Sequence, residues 1–119
     1  MSEALCRRAK QFLRTARLAH RDDMDAAYEN ARLAAELAGK ALLAHAGAAN
    51  DRDHNVAPAL VKNALIPAGP LAKDLSRFLQ DYNRGRYGVN EPVGVADVEQ
   101  AFRLAEWMVG LCQSYPPQP

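Results

Sequence analysis

The sequence has only two cysteines, one tryptophan and no apolar run long enough to cross a bilayer. Cys6 and Cys112 lie near opposite ends of the chain, which excludes a disulfide-dense scaffold and a zinc knuckle, since both need cysteines at close spacing. Without a run of about 20 apolar residues there is no candidate membrane-spanning helix. The first residues run Met1-Ser2-Glu3-Ala4-Leu5-Cys6 directly into Arg7 and Arg8, with no signal-peptide core, so the expectation is a cytoplasmic protein with no membrane contact. In a reducing compartment the two cysteines are expected as buried free thiols; a disulfide would require the terminal helices to be neighbours. Charge of one sign is also missing. Fifteen lysines and arginines against 14 acids leave a formal charge of +1, which excludes a polycationic nucleic-acid tail and leaves room for a local basic patch. There is no glycine-rich phosphate loop and no serine or cysteine in a nucleophile motif, so ordinary hydrolase chemistry is unsupported and no cofactor is expected.

What the 119 residues do contain is helical periodicity, in a length suited to one domain spanning 1–119. From Glu3 to about His20, the residues Leu5, Ala9, Phe12, Leu13, Ala16 and Ala19 recur at steps of three and four, the spacing of a buried helical face. The other face carries Arg7, Arg8, Lys10, Arg14, Arg17 and Arg21 against the single acid Glu3, a surface that is either merely solvated or attractive to phosphate. His20-Arg21-Asp22-Asp23 supplies capping acids, and a second helix starting near Asp22 carries a wide stripe of alanines and leucines through Leu43. So broad an apolar surface implies contact with several helices. Gly39 interrupts it at a tolerable cost. The stretch from His45 to Asn55 reads as a loop, followed by a short helix from Val56 to Leu65. Pro70 then opens a helix with Leu71, Leu75, Phe78, Leu79 and Tyr82 on one face, ending around Arg84-Gly85. The last helix begins near Val95, turns Val98, Ala101, Phe102, Ala105, Met108, Val109 and Cys112 inward, and ends at Tyr115-Pro116-Pro117. No segment alternates as a strand. The expected fold is all-α, an antiparallel up-and-down bundle of four long helices plus one short helix.

Three histidines, His20, His45 and His54, lie near acids, but no pair has zinc-ligand spacing. Asp51, Asp53 and Asn55 imitate the opening of a calcium loop, yet Val56 stands where glycine is needed and Lys62 where glutamate is needed. No metal is expected. Arg84, Arg86 and Tyr87 fall on a turn between helices, where guanidinium groups make forked contacts to phosphate and tyrosine stacks on bases. The same residues could instead organise the turn, with Arg86 on helix-end carbonyls and Tyr87 packed on the bundle.

Taken together, several separated motifs resemble the HEPN domain family, in the family's order and over most of the chain. Ala35-Glu36-Leu37-Ala38-Gly39-Lys40-Ala41-Leu42-Leu43 is similar to the long-helix signature, in which an alanine-glutamate pair precedes a lysine and an alanine-leucine run. Glu36 and Lys40 are four apart and can pair on one helical face, a contact that also has a purely stabilising meaning. His54 resembles the histidine at the start of the family's third helix. Tyr82 followed by Arg86-Tyr87-Gly88 resembles the tyrosine-spaced arginine-tyrosine-proline turn, with Gly88 in place of proline and therefore a less rigid turn. Val98-Glu99-Gln100-Ala101-Phe102-Arg103-Leu104-Ala105-Glu106 is similar to the final helix.

The resemblance implies a helical bundle, a homodimer, and association with nucleotides or RNA, often beside a minimal nucleotidyltransferase on a separate chain or domain in toxin-antitoxin or defence-type systems. Its ligand-binding residues here would be His54, Arg84, Arg86 and Tyr87. Some members are RNA-cutting toxins that use an arginine followed by a histidine at a spacing of four to six residues. Arg14 and His20 have that spacing, but a six-residue step rotates by about 600° around a helix and leaves the side chains about 120° apart. The expected function is a binding module; the alternatives are a metal-independent RNase toxin and a structural partner subunit without a ligand.

Overall fold

The computed structural model describes residues 2–48, 53–84 and 92–114, and among these the chain is all helical. Helix α1 covers Ser2–Ala19, α2 Met24–His45, α3 Ala57–Lys62, α4 Pro70–Gln80 and α5 Val95–Ser114. The all-α expectation holds, and α1, α2 and α5 match the predicted helices closely.

Helix α2 is the central element, packed against all four others. Its small side chains allow this: Ala27, Ala31, Ala34, Ala35 and Ala38 are fully buried, with Leu42 and Leu43 completing the core-facing surface. Burying one such leucine contributes about 1.5–3 kcal/mol. The helix starts at Asp23, whose carboxylate accepts the Ala26 N–H at 3.0 Å. It ends where Gly47 takes a left-handed φ of 75° and the Ala48 N–H reaches back to the Leu43 carbonyl at 2.8 Å. Gly39 has a structural purpose: a Cβ there would lie 2.5 Å from Cγ2 of the fully buried Val56. Its missing side chain lets the segment leading into α3 lie directly on α2.

Two helices are shorter than predicted. Helix α3 stops at Lys62 because Ala64 adopts a left-handed φ of 57° and the Leu65 N–H bonds to the Leu60 carbonyl at 2.9 Å. Helix α4 begins on Pro70 as expected but stops at Gln80, four residues before the predicted end. There the Asp81 carboxylate is drawn to Tyr28 of α2 instead of staying on the helix surface. Leu71 is exposed, and Tyr82, now past the helix, is partly exposed, so neither belongs to the buried face. The predicted terminator Tyr115-Pro116-Pro117 lies outside the described residues.

The cysteines are a further correction. Cys6 and Cys112 are joined as a disulfide, with Cα atoms 5.9 Å apart. The reason is topological: α1 and α5 run antiparallel, with Arg17 beside Glu106 and Cys6 beside Cys112, so the start of one helix adjoins the end of the other.

Candidate functional site

The most unusual feature of α2 is a buried line of alternating charge. Glu29, Arg32, Glu36 and Lys40 succeed one another at steps of three and four, and Arg32 is only 1% exposed. A buried cation survives only with well-placed partners. Arg32 Nη2 and Nε donate to the two oxygens of Glu29 at 2.9 and 3.3 Å, and Nη1 donates to Glu36 Oε1 at 2.8 Å. Nη1 also reaches the Leu79 carbonyl at the end of α4, at 3.4 Å. Burial alone would lower the Arg32 pKa, but the bonds to Glu29 and Glu36 outweigh it and hold the guanidinium protonated above its ordinary value.

Glu36 is the hub. Oε1 is also 3.0 Å from His54 Nδ1, and Oε2 accepts from Lys40 Nζ at 3.0 Å. Burial pushes the Glu36 carboxyl upward, yet the hydrogen bonds from Arg32, Lys40 and His54 win and leave it below the ordinary carboxylate value. An ionised carboxylate only accepts, so His54 must carry its proton on Nδ1, and the neutral ring is left with a lone pair on Nε2. The imidazole side chain is 53% exposed and lies against Tyr82, ring centroids 4.9 Å apart and planes tilted by 33°. The Arg32 guanidinium sits under the same tyrosine ring, 6.0 Å from its centroid. The loop before α3 presents His54 because Asn55 is pinned: its Nδ2 donates to Ser76 Oγ of α4 at 2.8 Å, and its Oδ1 accepts the Ala57 N–H at 3.2 Å. Three separate segments therefore meet at one polar opening, floored by charges that balance one another.

Arg84 is placed in a second network. Its Nη1 and Nη2 donate to the two oxygens of Asp97 at 3.3 and 3.1 Å, and Asp81 lies 3.6 Å from Nη1. The guanidinium also covers the Tyr28 ring at 5.7 Å. Burial works against the Arg84 charge, and Asp97, Tyr28 and Asp81 more than restore it, so its pKa is raised. Asp97 also accepts the Gly94 N–H at 2.9 Å and so caps α5. Arg84 thus ties the end of α4 to the start of α5. Tyr28, 5% exposed, donates from its hydroxyl to Asp81 Oδ2 at 2.7 Å; burial and then that bond push its phenol well above the ordinary value.

Of the four residues read from the sequence as ligand contacts, His54 sits at the opening and Arg84 joins α4 to α5, while Arg86 and Tyr87 lie outside the described residues. The expected Glu36–Lys40 pair is present but forms part of a larger, buried assembly. His20 packs edge-on against Phe102 at 5.2 Å, and Arg14 faces a groove between α1 and α5, so that pair does not build a site. Among the described residues no three histidine, cysteine or acidic side chains converge as metal ligands, and no helix is long and apolar enough to cross a membrane. The sequence reading missed Glu29 and Arg32. The signal was available, because Arg32 occupies the same helical line as Tyr28 and Ala35, four residues after one and three before the other, on the apolar stripe itself.

Neither a curated protein nor a solved structure matches the chain. The family model for the HEPN domain matches residues 2–115, nearly the whole length and every element described above. The signature segment of α2, with Glu36 and Lys40, and the histidine before α3 meet at one opening in this fold, and the chain belongs to the HEPN domain family.

Proposed function

We propose that the protein is a nucleotide- or RNA-associated binding module whose ligand site is the opening at His54 and Tyr82. The observation that carries this reading is the Glu36–His54 contact. A half-exposed imidazole, fixed through Nδ1 by a buried carboxylate and stacked on a tyrosine, offers a directed nitrogen and an aromatic face to a phosphate and a base. Arg86 and Tyr87 complete the site, supplying charge and stacking, while Arg84 acts as a positioning residue that holds the chain leading to them. The module works as a homodimer and docks a minimal nucleotidyltransferase, in a toxin-antitoxin or defence-type system. Calorimetry and thermal shift with ATP, other nucleotides and short RNA test the site. Binding should raise the melting temperature, and His54→Ala or Arg86→Ala should abolish the response to the mononucleotides. No response to any of these ligands, or a response unchanged in both variants, rejects the assignment.

The orientation of His54 also favours a second reading, a metal-independent RNase. With Nδ1 held by Glu36, Nε2 is free to take the proton of an RNA 2′-hydroxyl as it attacks the neighbouring phosphorus and to return a proton to the departing 5′-oxygen. An arginine would stabilise the charge that develops on the phosphorane-like state. Cleavage of RNA in EDTA that disappears with His54→Ala supports this reading. Cleavage that persists in that variant excludes it.

A further inference from the structure

The basic side of α1 has no part in the site above. Arg7, Lys10, Arg14 and Arg17 recur at steps of three or four residues, all exposed, and fall along one side of the helix in a row about 15 Å long. Arg21 extends the series into the turn beyond it. Glu3 is the only acid on the helix. Among the described residues only Arg17 of the row meets a carboxylate, Glu106 of α5 at 2.7 Å, and that bridge is half exposed and worth little by itself.

The row borders a groove of about 300 Å³ between α1 and α5, with Lys10, Arg14 and Arg17 on one wall and Val109, Gly110 and Gln113 on the other. The walls are tied at both ends, by the Cys6–Cys112 disulfide and by the Arg17–Glu106 bridge. Gly110 leaves the second wall open: a Cβ built there meets no atom within 4 Å.

We infer that this groove is a track for the phosphate backbone of a single-stranded nucleic acid, separate from the His54 opening. Several equally spaced cations in a row suit a repeating anion better than a mononucleotide. Its cations, Lys10, Arg14 and Arg17 against the single acid Glu106, suit a nucleic-acid backbone, and Leu13 and Val109 supply an apolar part of the lining on which a base can rest. A bilayer fits poorly, because the apolar side of α1 is spent on the core: Ala9, Leu13 and Ala16 are buried, with Leu5 and Phe12 packed against them. A groove of about 300 Å³ can admit part of one strand but is too small to take a duplex. The inference shares only the class of ligand with the function proposed above.

The test is fluorescence anisotropy with a labelled oligouridylate of about 15 nucleotides, long enough to fill a single-strand site, titrated at several salt concentrations. For wild type, the logarithm of affinity should fall with the logarithm of salt concentration. Lys10→Ala with Arg14→Ala should weaken binding at least tenfold and reduce that slope by about 1.4, roughly 0.7 for each lost phosphate contact. Gly110→Leu, which keeps every charge but fills the groove, should also weaken binding. The double variant should keep the thermal response to ATP, a ligand with no repeating backbone, so failure of the His54 site is read separately from failure of the track. The inference is overturned if the double variant keeps wild-type affinity and slope, or if Gly110→Leu binds as tightly as wild type. It is equally overturned if duplex RNA binds as well as the single strand, or if phosphatidylserine vesicles bind and the oligonucleotide does not.

Discussion

His54 Nδ1 lies 3.0 Å from Oε1 of Glu36, a carboxylate 5% exposed and already bonded to Arg32 and Lys40. An exposed ring is thereby attached to the interior of the bundle. The side chain proposed to face a ligand is oriented by one that also holds α2 to the end of α4 through Arg32, so the proposed site and the fold share residues. Separating the two contributions requires variants that break one and spare the other.

Arg32→Met removes the cation that Glu29 and Glu36 share and leaves these two buried carboxylates without its compensating charge. Breaking a buried ion pair this way costs about 3–5 kcal/mol, and urea unfolding should show it as a lower midpoint. Replacing Glu29, Arg32 and Glu36 together by methionine should cost less, because only Lys40, whose side chain keeps some access to solvent, loses its carboxylate. That triple variant should fold and yet lose the ligand response, since His54 no longer has an acceptor.

Glu36 makes stability depend on acid. Its folded pKa lies below the ordinary 4.5, so the contribution is complete above that value and disappears as the pH falls through the depressed one. Glu36→Gln should be less stable than wild type at neutral pH. The gap between the two should narrow on acidification below about pH 4.5, as measured by unfolding midpoints at a series of pH values.

Tyr28 makes the opposite prediction at high pH. Its folded pKa is raised above 10.0, so its contribution is present below that value and is lost as the pH rises through the folded one. In an ultraviolet titration, one of the four tyrosines should stay neutral beyond the usual range and ionise only on unfolding. Tyr28→Phe should remove that late component and destabilise by about 1.5–3 kcal/mol, the worth of a hydrogen bond to a charged group.

Gly39→Ala should destabilise although alanine is the better helix former. The new methyl group would meet Val56 Cγ2 at 2.5 Å, an overpacking cost of about 1–3 kcal/mol set against a gain of up to about 1 kcal/mol in helix propensity. Val56→Ala should cost less in the Gly39→Ala background than in wild type, a non-additivity that a double-mutant cycle measures.

These residues also show which parts of the molecule could be read in advance. The stripes of α1, α2 and α5 were legible because local spacing alone decides which side is apolar. The order of the family motifs pointed to His54 and to the Glu36–Lys40 pair. The end of α4 was not legible, since it is set by Tyr28 and Arg84 pulling on Asp81 from 53 and three positions away in sequence. The disulfide was hidden for a similar reason: Cys6 and Cys112 are separated by 106 positions, and only the antiparallel packing of α1 on α5 brings them together. Arg32 was overlooked because charge on a helix usually marks the solvent side. Here a cation on the apolar stripe, with an acid three residues before it and another four residues after, brings its own counterions into the core.

The most direct measurement of the central claim is a long-range proton–nitrogen NMR spectrum of the His54 imidazole, with and without a short oligoribonucleotide. The neutral ring should carry its proton on Nδ1, the tautomer that the ionised Glu36 demands, and the Nε2 resonance should shift when the RNA is added. Glu36→Gln should weaken that tautomer preference. A ring protonated on Nε2 in wild type, or an Nε2 signal that ignores every nucleotide and RNA offered, would contradict the account.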